Sequence, residues 1–271
     1  MVVQHNLQAA NANRMLGGNV KAVAKNTEKL SSGYKVNRAA DDAAGLSISE
    51  KMRNQIRGIN QAVSNSEDGQ YLIQTAEGNL NEIHSILQRM GELATKAAND
   101  VNQSVDRTAI KDEIDQLVSE IDSISKKADF NGTKLLNGDM SSGKYLQVGA
   151  NGGENMKISI SKIDAASLSV NSLTVSDHAS ASTAMSKVTA AVKQVSATRS
   201  KLGAIQNRLD YTINNLENYS ENLTASESSI RDTDMAKEMV NFSKNNILQQ
   251  AAQSMLAQAN QSNQGVLSLL Q

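Results

Sequence analysis

The sequence predicts a mainly α-helical chain: long antiparallel coiled-coil helices from both chain ends and the centre, plus a small β-hairpin region. Three observations carry this. Apolar and small residues step by four and three through most of the chain, the spacing that keeps one stripe on one helix face. Proline is absent from all 271 residues, so no helix meets a proline kink. Between Phe130 and Asp177 the rhythm gives way to Gly, Asn and Ser with short alternating runs, the pattern of strands and turns.

The first rod carries Val2, Asn6, Ala9, Asn13, Leu16, Val20, Val23, Thr27, Leu30 and Tyr34, and its stripe is apolar only from Leu16 onward. The stretch Leu30 to Ile48, with Ser31-Ser32-Gly33, Asn37, Asp41-Asp42 and Gly45, reads as a joint. The second rod takes up the alternation through Ile48, Met52, Gln55, Ile59, Ala62, Ser66, Gly69, Ile73, Ala76, Leu80, Ile83, Leu87, Met90 and Ala94. A helix of ~50 residues is about 75 Å long and cannot bury its stripe on itself. This rod should fade near Asn99-Asp100, and Asp106 should cap a short third helix before Thr108. That helix carries Ile110, Ile114, Leu117, Ile121, Ile124 and Ala128. A hairpin follows, with Leu146 and Val148 on one arm, Met156, Ile158 and Ile160 on the other, and Gly149-Ala150-Asn151-Gly152-Gly153 between. Residues 165–177 read as irregular chain. Helical rhythm returns near Ser180, with Met185, Val188, Val192, Val195, Leu202, Leu209, Ile213 and Leu216 on the seam and Arg199 and Gln206 as its polar members. Ser226 to Thr233 resembles the first joint in character. The last rod begins near Asp234. One stripe holds Ala236, Val240, Ile247, Ala251, Met255 and Ala259, and a second beside it holds Met235, Met239, Phe242, Leu248, Ala252 and Leu256. The VLSLL end is an apolar tail that asks for a cover. The order is roughly palindromic about the β segment, so the first and last rods should pair and the middle helices form a separate bundle.

Several chemistries fail on composition. Aromatic residues make up 3% and Trp is absent, which suits narrow helix seams over a round core. With 27 basic and 28 acidic residues there is no drive toward nucleic acid. There is no cysteine, which removes disulfides, thiolate metal sites and cysteine nucleophiles together. His5, His84 and His178 sit on separate elements, so no metal site is expected. Asp41-Asp42 reads as a helix cap before Leu46 and not as an acid–base pair. The run Gly138 to Tyr145 approaches a phosphate loop but has Tyr145 where Ser or Thr would bind magnesium, and leads into a strand. No cofactor and no enzymatic activity are expected. The start of the sequence lacks the basic residues and apolar block of a signal peptide, and no 18-residue apolar run exists. Beyond Lys244 the last rod has no basic residue, so membrane insertion is not expected.

The wording of the chain is also specific. LSSGYKVNRAADDAAGLSISEKMRNQIRGINQA (30–62) closely resembles the N-terminal signature of bacterial flagellin, and NSEDGQYLIQTAEGNLNEIHSILQRMGELA (65–94) continues it. ADFNGTKLLNG (128–138) is similar to that family's turn into its β-hairpin. LGAIQNRLDYTINNLENYSENLTASESSIRDTDMAKEM and KNNILQQAAQSMLAQANQ resemble its C-terminal signature. The resemblance implies a short flagellin without large outer domains. It implies 1–44 and 234–271 as the two halves of the innermost domain, with 45–177 and 178–233 as the outer helical domain. It implies a filament subunit for motility, found extracellularly in the flagellum and passed unfolded through the flagellar export apparatus without a cleaved signal peptide. Lack of disulfides and prolines fits that passage. The implied partners are further copies of the chain, an export chaperone, the filament cap and hook–filament junction proteins, and the host innate receptor Toll-like receptor five. The terminal helices would assemble through Leu16, Val20, Val23, Leu30, Met239, Phe242, Ile247, Leu248, Met255, Leu256, Leu267 and Leu270. The family's receptor patch maps onto Gln88, Arg89, Glu92, Leu93 and Glu113, with Arg89 as anchor. The sequence departs from the family's pattern at Met90-Gly91. A hook–filament junction protein, built from similar rods, is the first alternative reading, and a soluble helical binding module is the second.

Overall fold

A computed structural model describes residues 6–268, with side chains as far as residue 262. The chain forms two compact units, one from 1–54 with 222–271 and one from 55–221. Five helices and two small hairpins make up the described residues: α1 (Leu7–Ser32), α2 (Ala43–Ala97), α3 (Ser104–Lys127), β1 (Asp129–Phe130), β2 (Thr133–Lys134), β3 (Lys144–Gln147), β4 (Asn155–Ile158), α4 (His178–Arg231) and α5 (Met235–Ser268). This is the mainly α architecture with a small β region that the alternation predicts.

In the terminal unit, Asn6 caps α1 by accepting the Ala9 N–H on Oδ1 at 3.0 Å, and α1 ends at Gly33, whose N–H donates to the Lys29 carbonyl. The first joint is therefore shorter than the Leu30–Ile48 reading: α1 continues to Ser32 and α2 opens at Ala43, because Asp42 accepts the Gly45 N–H at 2.9 Å and starts the helix earlier. Asp41 turns the other way. It accepts the Arg38 N–H at 3.1 Å and pairs with Lys25 at 2.8 Å. The second joint is shorter still. α4 runs through Ser226 to Arg231, which leaves 232–234 as the break, and Asp234 caps α5 by accepting the Lys237 N–H at 3.1 Å.

The two joints are zipped to each other by backbone. Lys35 N–H donates to Arg231 O at 2.6 Å, Thr233 N–H donates to Gly33 O at 2.9 Å, and Tyr34 forms an antiparallel bridge with Asp232. The Arg231 guanidinium lies over the Tyr34 ring, 4.3 Å from its centroid, and reaches Glu50 at 3.3 Å and Glu227 at 3.8 Å. With its side chain only 12% exposed, this cation is desolvated enough for the ring and the carboxylates to matter.

The central unit has a closed core. The α2 stripe falls where the alternation puts it: Ile59, Ala62, Ser66, Ile73, Ala76, Leu80, Ile83, Leu87, Met90 and Ala94 are all buried. From Ile73 to Ala94 they join Ile110, Ile114 and Ile121 of α3 and the inner face of α4 in one apolar cluster. On α4 the seam differs from the sequence reading by one residue. Ala184, Ala191 and Thr198 point inward, whereas Met185 and Val192 are half-buried and Arg199 turns out to Glu77 at 3.5 Å. Small residues let α4 approach closely, and the larger neighbours cover the flank. α3 begins at Ser104, two residues before the expected cap. Asp106 instead accepts the Gln103 N–H at 3.1 Å from inside the first turn.

The β region contains two hairpins where the sequence suggested one. β1 and β2 pair antiparallel around Asn131 (φ 48°) and Gly132 (φ 76°), the double positive φ of a two-residue turn that Asn-Gly favours. β3 and β4 pair Lys144 with Ile158 through Gln147 with Asn155. Met156 and Ile158 of this hairpin are buried. Gly69 of α2 permits the approach: a Cβ there would lie 2.5 Å from Leu146 Cδ2. Residues 160–175 form neither helix nor strand, yet Ile160, Ile163, Ala165, Leu168, Val170, Leu173 and Val175 are all buried.

The Asp41 clasp gives a pH expectation. The Lys25 ammonium, and after it the Arg38 N–H, hold the Asp41 carboxyl down at about 2, against an ordinary 3.8. Its contribution to holding the joint is complete above the ordinary value and is lost as pH falls through about 2. The Asp41 carboxyl should titrate in NMR with a midpoint near 2, and Lys25→Ala should move that midpoint upward. A midpoint unmoved by Lys25→Ala would assign the depression to the backbone donors alone.

Candidate functional site

α1 and α5 pack along each other in the terminal unit. They run antiparallel: Asn6 Nδ2 donates to Ala259 O at 3.0 Å and Asn19 Nδ2 to Leu248 O at 3.2 Å. The facing residues of α1 are Ala9, Ala12, Leu16, Asn19, Val23, Asn26 and Leu30. Half of the expected stripe is thus displaced by one residue. Ala12, Asn19 and Asn26 face α5 in place of Asn13, Val20 and Thr27, and of the two amides Asn19 donates across the seam to Leu248 O.

The result is a thin, polar junction. Asn26 is the one fully covered residue of α1, and α5 has none among its described side chains. Asn26 Nδ2 has no hydrogen-bond partner. A fully buried Leu or Val contributes ~1.5–3 kcal/mol, and this seam has no such residue.

The expected assembly residues divide into two sets. Leu16, Val23, Leu30, Phe242 and Leu256 are half-buried along the seam. Val20, Met239, Ile247, Leu248 and Met255 are exposed, together with Leu7, Met15, Met235 and Val240. Val240 and Ile247 are 69% and 66% exposed, so the outer stripe of α5 is bare in the single chain. A groove of ≈ 760 Å³ opens beside the seam, lined by Ala12, Met15, Ala252, Met255 and Ala259 among others. Leu267 and Leu270 of the VLSLL end lie outside the residues whose side chains are described.

A second feature lies on the central unit. Arg89 donates from Nε and Nη2 to Glu113 Oε1 at 3.1 and 2.9 Å, and from Nη1 to Glu92 Oε2 at 3.1 Å. Arg89, Glu92 and Glu113, singled out from the sequence, therefore meet in space, although Glu113 belongs to another helix. Gln88 is exposed beside them and contacts His84 at 3.1 Å. Leu93 departs from its expected role: at 3% exposure its side chain is spent in the core, because it continues the α2 stripe beside Ala94. Exposed ion pairs contribute about 0–1 kcal/mol, so this cluster matters as a patterned surface more than as a brace. Sequence reasoning missed a groove of ≈ 700 Å³ lined by Gln55, Asn151, Arg208, Tyr211, Asn215 and Tyr219 among others. Tyr211 and Tyr219, both exposed, were its one available signal. Among the described residues no three His, Cys, Asp or Glu converge as a metal cluster, and no helix is long and apolar enough to cross a membrane.

A chain whose end helices meet through a polar seam and leave an apolar stripe uncovered is a subunit completed by association. Comparison with known proteins identifies the family. Residues 3–141 match the bacterial flagellin N-terminal helical region, and residues 185–270 match the bacterial flagellin C-terminal helical region. The chain is 53% identical over 272 residues to a flagellin of Halalkalibacterium halodurans and 49% identical over 303 residues to a flagellin of Bacillus subtilis, covering 100% of each chain in both cases. It is 44% identical to the flagellar filament 33 kDa core protein of Treponema phagedenis, again with 100% of each chain covered. Among solved structures it is similar to the Bacillus cereus flagellin (TM-score 0.50, 32% identity, 56% of this chain and 88% of that one). A putative flagellar hook-associated protein from Vibrio parahaemolyticus shares the fold alone (TM-score 0.59, 15% identity, 71% of this chain and 100% of that one). The chain belongs to the bacterial flagellin family. It is a structural subunit of the flagellar filament that self-polymerises, and it is not an enzyme.

The lone amide in the terminal seam is testable. Asn26→Leu should raise the stability of the α1–α5 pair by about 1–3 kcal/mol, since an unsatisfied buried group is removed. Urea unfolding followed by circular dichroism reads this. A midpoint below that of the wild type would mean that the amide contributes more than its burial costs.

Proposed function

We propose that the terminal unit is the innermost layer of the filament and that its bare stripe is covered there by copies of the same chain. In this reading 1–44 and 234–271 are the halves of that layer, while 45–177 and 178–233 make the layer around it. The supporting observation is the run of exposed apolar side chains on α5 (Met239, Val240, Ile247, Leu248 and Met255), joined by Met15 and Val20 of α1. These are large apolar residues on long helices whose mutual seam is too poor to hold them, so burial on association supplies the missing stabilisation.

Such a face needs a cover before assembly. An export chaperone grips the C-terminal rod until secretion. The chain then passes unfolded through the flagellar export apparatus without a cleaved signal peptide, to join a filament bounded by cap and hook–filament junction proteins. The same chain is a ligand of host Toll-like receptor five, with Arg89 as anchor and Gln88, Glu92 and Glu113 around it. Leu93 has little surface to offer there. Support for this comes from the exposure of the Arg89, Glu92 and Glu113 side chains, with side-chain values of 52%, 69% and 45%.

Two measurements test the reading. Purified chain seeded with sheared filaments should sediment as polymer, whereas Val240→Asp combined with Ile247→Asp should leave it in the supernatant with its helical circular dichroism retained. Undiminished polymer from that variant contradicts the role of the stripe. Arg89→Ala should weaken binding to the receptor ectodomain by about tenfold or more, the scale of a central interface arginine. An unchanged affinity removes the receptor reading.

A further inference from the structure

Of the ten methionines, the nine whose side chains are described are sorted by access. Met90, Met140 and Met156 are 0–3% exposed in the core of the central unit, and Met52 and Met185 are half-buried. Every fully exposed methionine among the described residues lies on the terminal helices: Met15 (58%), Met235 (46%), Met239 (50%) and Met255 (62%). Met15 and Met255 line the same groove beside the α1–α5 seam. Met235 and Met239 stand one turn apart at the start of α5, next to Val240.

We propose that Met15, Met235, Met239 and Met255 are sulfoxidation sites through which a peroxide holds the chain in its unassembled form. The inference rests on the assembly reading above and adds a control to that same face. Hydrogen peroxide transfers one oxygen to the thioether sulfur. An S–O bond forms, the peroxide O–O bond breaks, sulfur gives up two electrons, and the remaining oxygen leaves as water. The product is a polar, chiral side chain where an apolar one stood. On a solvent-facing helix this change is tolerated. When another copy covers the stripe, each sulfoxide oxygen must be desolvated, so association loses its drive. Met90, Met140 and Met156 of the central unit are shielded and Met52 and Met185 are partly covered, so the exposed terminal face is altered first. Assembly in turn covers the four sulfurs, so the reaction discriminates between free subunits and polymer. Leucine has nearly the same volume as methionine and no sulfur, which supplies a clean comparison.

The experiment uses the full chain. Monomer is treated with hydrogen peroxide until peptide mass spectrometry shows sulfoxide at the four sites, and is then added to sheared filament seeds. Elongation is expected to slow by about tenfold or more against untreated monomer, and incubation with methionine sulfoxide reductases should restore it. A variant carrying Met15→Leu, Met235→Leu, Met239→Leu and Met255→Leu should elongate equally with and without treatment. If that variant assembles poorly even untreated, the pair Met239→Leu and Met255→Leu is compared instead, and should recover part of the peroxide loss. Preformed filaments should show less sulfoxide at the four sites than monomer at the same dose. Unchanged elongation of fully oxidised wild type, or an equal peroxide loss in the leucine variant, overturns the proposal. Failure of untreated wild type to elongate at all overturns the assembly reading, and this inference with it.

Discussion

The terminal unit depends on a seam that is deliberately weak in composition. Over the 26 residues of α1 only Asn26 is fully covered, and the lateral bonds come from Asn6 and Asn19 reaching backbone carbonyls of α5. Amides at seam positions fix register at some expense in stability. Two helices held this way have a defined alignment and little surplus stabilisation. Large apolar side chains such as Val240 and Ile247 stand exposed on α5 instead of closing the pair. The central unit shows the opposite choice: its α2, α3 and α4 stripes close on themselves in one apolar cluster.

The joints compensate locally. Where the helices break, backbone hydrogen bonds between 33–36 and 231–233 make a short ribbon, and Arg231 ties that ribbon to Tyr34, Glu50 and Glu227. Asp41 and Asp42, adjacent in sequence, divide the work: one opens α2 and the other binds the joint back to Lys25 on α1. The connection thus combines polar contacts of definite geometry with the burial of one apolar side chain, Val36, in the first joint.

The sequence was most legible where apolar residues occupied every seam position but two, Ser66 and Gly69. The α2 stripe from Ile59 to Ala94 is read without error for that reason. On α1 and α4 the alternation was misplaced by one residue at every other step. There the true seam holds Asn19, Asn26, Ala184, Ala191 and Thr198, while bulkier neighbours such as Val20 and Val192 stand just outside it. Hydrophobicity ranks those neighbours higher, but close helix approach, with a cross-helix hydrogen bond at Asn19, chooses the smaller or polar ones. The β1–β2 hairpin escaped notice because two-residue strands carry no alternation, and only Asn131-Gly132 marks them. Residues 160–175 are buried without regular structure, so no period could reveal them. At the charged patch, the partnership of Arg89 with Glu113 was legible through the family resemblance alone, since 24 positions separate them. The burial of Leu93 followed from the α2 stripe and belonged to the core from the start.

The pairing of α1 with α5 joins positions as far apart as 253 residues. Translation delivers α1 first and its mate last. A ribosome that has finished the central unit still carries an α1 with no partner, and helices without partners are marginal in water. The nascent chain therefore spends most of its synthesis with one end committed to a fold and the other end waiting. A chain that stops before Met235 lacks α5 altogether, and its waiting end stays unmatched.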